Sequence, residues 1–66
     1  MRILVVGCGS IGERHIRNIS ELQVEEIIAC DLKQDKLSEM KHRYGVREDH
    51  TNFEQALSKK PDDTAN

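Results

Sequence analysis

The chain has 66 residues, a net charge of −2 and 36% hydrophobic residues, with Tyr44 and Phe53 as its aromatic side chains. A chain of this size buries only about 60% of its unfolded surface, so it holds one marginal domain or part of a larger one. The acidic balance lacks the basic face of a nucleic-acid or membrane-surface binder, no apolar run approaches the ~20 residues of a membrane span, and the run Ile3-Leu4-Val5-Val6 is too short for a signal-peptide core; the expectation is a cytoplasmic protein with no nucleic-acid and no membrane partner.

Residues 2–6 are an unbroken, β-branched run ending at Gly7, which suits a strand covered on both faces, as in a parallel sheet. Gly7-Cys8-Gly9-Ser10-Ile11-Gly12 follows, and then residues 13–22. There Gly12, Ile16, Ile19 and Gln23 share one stripe with Leu22 beside it, the pattern of an amphipathic helix of about three turns. Residues 25–31, Glu-Glu-Ile-Ile-Ala-Cys-Asp, predict a second buried strand that ends on an acid. Asp35 is the expected cap of a second helix with Leu37, Met40 and Tyr44 on one face. Gly45 stands just past that helix, where a left-handed residue is favoured. Residues 46–49 predict a short third strand. Thr51 and Glu54 read as a capping box ahead of a third helix whose apolar face is Phe53, Ala56 and Leu57. Pro61 ends it, and residues 62–66 read as a polar, disordered tail.

The order β-α-β-α-β-α predicts parallel strands joined by helical crossovers. A glycine triplet alone says little. Here it follows a strand and opens a helix, the arrangement that marks a dinucleotide-binding turn. Gly7 permits the tight turn, Gly9 lets the backbone approach a pyrophosphate, and Gly12 lets helix and strand pack closely. The N–H groups from Ser10 through Ile11 to Gly12 and the helix dipole then favour the diphosphate. Asp31, 19 residues after Gly12, holds the position from which a carboxylate accepts from the ribose hydroxyls, and Leu32 beside it joins the cofactor-binding set. A carboxylate there repels a 2′-phosphate, so NAD is expected and NADP is disfavoured, with Lys33 softening the preference. The fold expected is α/β, a partial Rossmann fold with a short parallel sheet of order 3-2-1, truncated before strand 4. Residues 1–61 are its nucleotide-binding part.

The segment Gly7-Cys8-Gly9-Ser10-Ile11-Gly12-Glu13-Arg14-His15 resembles the G-x-G-x-x-G-x-x-H opening of the glucose-fructose oxidoreductase / inositol dehydrogenase / rhizopine-catabolism (Gfo/Idh/MocA) oxidoreductase family. Residues 28–31 resemble its second strand, Tyr44-Gly45-Val46 its "yGv", and residues 51–57 its third helix. The resemblance runs over residues 1 to about 61. It implies an NAD(P)-binding segment of a two-domain dehydrogenase of the sugar or cyclitol type, taking the ADP half of the dinucleotide. The family's Glu-Lys-Pro motif, with its catalytic lysine, has no counterpart. Lys59-Lys60-Pro61 imitates it but sits at a helix end, and reads as a solvated terminus. The substrate domain and its histidine are not in this chain either, so the chain by itself is expected to be inactive, with no catalytic residue.

Cys8 and Cys30 form no disulfide framework and read as reduced, buried thiols. They and the histidines show no metal-ligand spacing. His15 is expected to pack against or cap the neighbouring loop rather than contact the cofactor. Ser10 lacks a base and the elbow geometry of a nucleophile. A second reading is a non-catalytic nucleotide-sensing module, such as the regulatory domains of potassium channels, and a third a structural or oligomerising piece. With no fourth strand, the Ile3–Val6 strand would be an edge, and edges pair with other chains. Self-association through it is therefore expected.

Overall fold

In the computed structural model, residues 1–22 and 26–65 are described. They form β1 (Arg2–Val6), α1 (Ser10–Leu22), β2 (Glu26–Cys30), α2 (Gln34–Tyr44), β3 (Glu48–His50), α3 (Phe53–Ser58) and β4 (Asp63–Ala65). Gln23 of the expected helical stripe, Glu25 of the expected second strand and Asn66 of the expected tail lie outside the described residues.

The unbroken apolar runs are explained by the sheet. Side chains alternate across a strand, and both faces of β1 and β2 are covered. Val5, Ile27 and Ala29 meet Cys8, Ile16, Leu37, Met40 and Val46 on the face of α1 and α2, while Leu4, Ile28 and Cys30 meet Ala56 of α3 on the other. Each buried aliphatic side chain contributes about 1.5–3 kcal/mol. The two faces together form the core.

All strand pairs are parallel, with Ile3 opposite Ile27 and Ile28 opposite Glu48. The sheet order is β3-β2-β1-β4, which corrects the expected order 3-2-1 and the disordered tail. Asp63, Thr64 and Ala65 pair with Ile3, Leu4 and Val5. Three polar or small residues carry little strand signal of their own; what makes them a strand is the open edge of β1 beside them. Two bonds lock the register: Asp62 N–H donates to the Arg2 carbonyl (2.7 Å), and Arg2 N–H donates to Asp62 Oδ2 (2.7 Å).

This fourth strand removes the ground for self-association through Ile3–Val6. β1 is hydrogen-bonded on both sides, and the sheet edges are β3 and β4. It also creates a switch point. The chain leaves β1 toward β2 under α1 and α2, and returns over α3 to the far side of β1. In open α/β sheets the crevice at the C-terminal ends of strands flanking such a reversal is where ligands bind.

Several local boundaries differ from expectation. The second helix is not capped by Asp35. It starts at Gln34 behind Lys33, which makes no side-chain cap bond, and Asp35 sits in the first turn. The reason lies upstream: Asp31 Oδ1 accepts from Lys33 N–H (2.8 Å), an Asx turn that bends the chain into the helix early. The third strand is Glu48–His50 rather than 46–49, because Val46 is spent in the core under α2. Asn52, not Thr51, caps α3, its side chain accepting from Gln55 N–H (3.0 Å). Phe53 and Leu57 are 46% and 42% exposed, and Ala56 alone of the three expected apolar residues is buried. Gly45 does close α2 in the left-handed region (φ 68°), as the glycine signal predicts.

Candidate functional site

β1 delivers the chain to the switch point at Val6. Gly7 then adopts φ +89°, a conformation that other residues rarely reach, and its N–H donates to the Cys30 carbonyl (2.7 Å). The turn is thereby stitched to the end of β2. α1 starts so close above it that a Cβ on Gly12 would stand 1.6 Å from the Gly7 carbonyl oxygen. Only glycine fits there. Gly9 is different: a Cβ there would meet nothing within 4 Å, so nothing inside the chain demands a glycine at this exposed position.

α1 runs for 13 residues from Ser10. Its first intrahelical bond is donated by Glu13 N–H to the Gly9 carbonyl (2.8 Å). The N–H groups of Ser10, Ile11 and Gly12 precede that bond and have no partner one turn back. They open on a cleft of about 350 Å³ lined by Val6 and by Gly7, Gly9, Ser10, Ile11 and Gly12.

A second cleft of about 370 Å³ adjoins it, sharing Val6 and Gly7 and walled by Cys30, Asp31, Leu32, Lys33, Thr51 and Phe53. All seven residues expected from the sequence to bind cofactor line one or the other. Thr51 and Phe53 were missed. Their apolar and hydroxyl character was assigned to the third helix, yet both stand at its start, at the same end of the sheet as Asp31. A signal was available: a residue at the start of a helix that follows a parallel strand lies beside the strand's C-terminal end. His15 is half-buried on α1 and lines neither cleft.

Asp31 is the acid of the site, with Lys33 on the same cleft. Oδ2 accepts from Cys8 N–H (2.7 Å) and Oδ1 from Lys33 N–H (2.8 Å). The bond from Cys8, then that from Lys33, holds its carboxyl below the usual carboxylate range, so it is ionised at neutral pH. Each oxygen has a further lone pair, which leaves room for two hydroxyl donors. Burial, followed by the charge of Asp31, pushes the Cys8 thiol up to about 11. Cys30 is raised for the same reasons. Both cysteines are free and buried, and as thiols rather than thiolates they are poor nucleophiles.

The residue after Gly12 is also acidic, and it is engaged elsewhere. Glu13 accepts from Tyr44 Oη–H (2.7 Å) and from Arg43 Nη1 (3.0 Å). The Tyr44 bond is the main cause that holds the Glu13 carboxyl below its ordinary range. This pins the end of α2 to the start of α1. Among the described residues no group of three His, Cys, Asp or Glu could hold a metal ion, and no helix is long and apolar enough to cross a membrane.

No protein-family model matches the chain, and no curated protein matches it. Among solved structures it is similar to the WlbA dehydrogenase from Chromobacterium violaceum, determined in complex with NADH and UDP-GlcNAcA, with a TM-score of 0.80 and 25% identity over 97% of this chain. The chain is a partial Rossmann fold. It spans 19% of the length of that dehydrogenase. The Rossmann assignment explains the Gly7–Gly12 contact as the meeting of first strand and first helix, with Asp31 directly after the second strand.

Proposed function

We propose that the chain is the NAD(P)-binding segment of an oxidoreductase, of the sugar- or cyclitol-dehydrogenase type found in the Gfo/Idh/MocA family, and that it takes the ADP half of the dinucleotide. The observation that carries this reading is the pair of adjoining clefts at the switch point. One is built from unpartnered backbone N–H groups and the other from an ionised carboxylate. An anion suits the first and a diol the second.

The residues fit the cofactor chemically. The N–H groups of Ser10, Ile11 and Gly12, at the positive end of α1, suit a diphosphate. The open space over Gly9 accommodates its approach. The spare lone pairs of Asp31 suit the ribose hydroxyls, and its charge disfavours a 2′-phosphate, so NAD is preferred to NADP. Leu32, 90% exposed, and Phe53 supply apolar surface where an adenine would be sheltered. When bound, the dinucleotide would supply hydride chemistry at its nicotinamide. The likeness to a dehydrogenase that binds NADH and a nucleotide sugar supports the same class for this chain. The cytoplasm is the compartment that fits free, protonated thiols.

Titration with NAD followed by amide NMR tests the reading. Shifts are expected at residues 7–12, Asp31 and Leu32 at millimolar NAD, with weaker binding of NADP. Asp31→Ala should weaken NAD about tenfold, the loss of a charged hydrogen bond, and change NADP less. If residues 7–12 and Asp31 do not move at millimolar NAD, the reading is wrong.

A further inference from the structure

Asp31 is bound to the glycine turn before any ligand arrives. Its Oδ2 takes the N–H of Cys8, the residue between Gly7 and Gly9, at 2.7 Å. Its Oδ1 takes the N–H of Lys33 at 2.8 Å, and its own N–H donates to the His50 carbonyl at 3.2 Å. One residue thus joins the end of β1, the β2–α2 connection and the end of β3. The bond to Cys8 matters most for the turn. Gly7 is in the left-handed region and Gly9 has open space around it, so the peptide between them has no side-chain packing of its own to orient it other than the buried Cys8. Fixing the Cys8 N–H on Asp31 turns that donor away from the diphosphate cleft and sets the direction from which the following N–H groups, Ser10 to Gly12, emerge.

Resting on the dinucleotide reading above, we infer that Asp31 is a positioning residue for the phosphate-binding turn as well as a ribose contact, so that it supports the binding of a ligand that has phosphates and no ribose. This makes a prediction of sign. If Asp31 acted on the ligand only through the ribose and its own charge, then removing the charge would lower the negative potential near the turn, and a bare anion would bind more tightly. If Asp31 holds the turn, its removal loosens the N–H array, and a bare anion binds less tightly. The charged groups facing the carboxylate are the ammonium groups of Lys33 and Lys36, and the neighbouring thiols of Cys8 and Cys30 are uncharged at neutral pH.

The probe is inorganic pyrophosphate, titrated into the 66-residue chain and followed by amide shifts of residues 7–12. Asp31→Asn, which keeps one acceptor oxygen, and Asp31→Ala, which keeps none, are expected to weaken pyrophosphate about threefold and about tenfold, while the amide shifts of Ile27 to Ala29 stay in place. Equal or tighter pyrophosphate binding by both variants overturns the inference and leaves the ribose role standing. A wild-type chain that binds neither NAD nor pyrophosphate overturns the site reading instead. The clasp is then judged in the free protein, where the Cys8 amide proton must follow the protonation of Asp31 in an acid titration, below the ordinary carboxylate range. A Cys8 amide that ignores that titration overturns the clasp, whatever the ligands do.

Discussion

At the N-terminal ends of the strands Arg2 lies 2.7 Å from Glu26 and 3.1 Å from Glu48, and its Nη1 donates to the Lys59 carbonyl at 2.7 Å. Glu48 also meets Lys59 at 3.7 Å, and Glu26 meets Arg47 at 3.6 Å. The C-terminal ends are built the other way. There the carboxylate of Asp31 is held by backbone N–H groups, and the clefts are lined by glycines and exposed apolar side chains. One end pairs its charges with one another and ties β1, β2 and β3 together. The other keeps donors and acceptors in reserve. The lesson is that the charges at the N-terminal ends of the strands, the lower end, serve stability, while the backbone at the C-terminal ends, the upper end, is left open for the recognition proposed above.

The sharpest way to break this contrast is to damage the upper end through sterics. In Gly12→Ala the new Cβ collides with the Gly7 carbonyl, and because the obstacle is backbone it cannot swing aside. A loss of about 3 kcal/mol is expected, enough to unfold much of a marginal domain, and urea unfolding followed by circular dichroism measures it. If Gly12→Ala kept wild-type stability, the tight meeting of strand and helix would be refuted. A smaller effect is expected at the lower end. Arg2→Ala should lower stability by about 1.5 kcal/mol, since its pairs are partly exposed and only the set of them together counts. The amide shifts of residues 7–12 on titration with NAD should be unchanged. A variant that kept its stability but lost the ligand would reverse the roles assigned to the two ends. The smallest effect separates neighbours near the site: Asn52→Ala should cost about 1 kcal/mol through the lost cap, whereas Thr51→Ala should change stability far less. Thermal melts compare the two directly.

The Asp31 clasp adds a dependence on acidity to the upper end. A carboxyl whose pKa is lowered by folding contributes stability that is complete above its unfolded value, about 3.9, and that fades as pH falls through the lower folded value. The glycine turn therefore loosens in acid, beginning below the ordinary carboxylate range.

Residues 2 to 12 and 26 to 31 were legible in the sequence because their structure is decided close by. The run Ile3–Val6 is apolar on both faces, Gly7 and Gly12 leave few alternatives to a strand–turn–helix, and Asp31 stands at the expected spacing, one residue past the second strand, which stops at Cys30 rather than on the acid. The same was true of Gly45, whose left-handed conformation stops α2. Beyond that, contacts from distant parts of the chain decided the outcome. Asp63-Thr64-Ala65 is too short and polar to announce a strand, and becomes β4 only because β1 offers an open ladder and Arg2 fixes the register. Phe53 has the apolar character of a core residue, but its place at the start of α3 puts it at a cleft. Thr51 and Asn52 are both good caps, and the path from β3 into α3 selected the second. The glycine turn and its acid were therefore written in local chemistry. The switch point beside it, and the bond that ties Asp31 to Cys8, exist only once β4 and the β2–α2 connection are folded around β1.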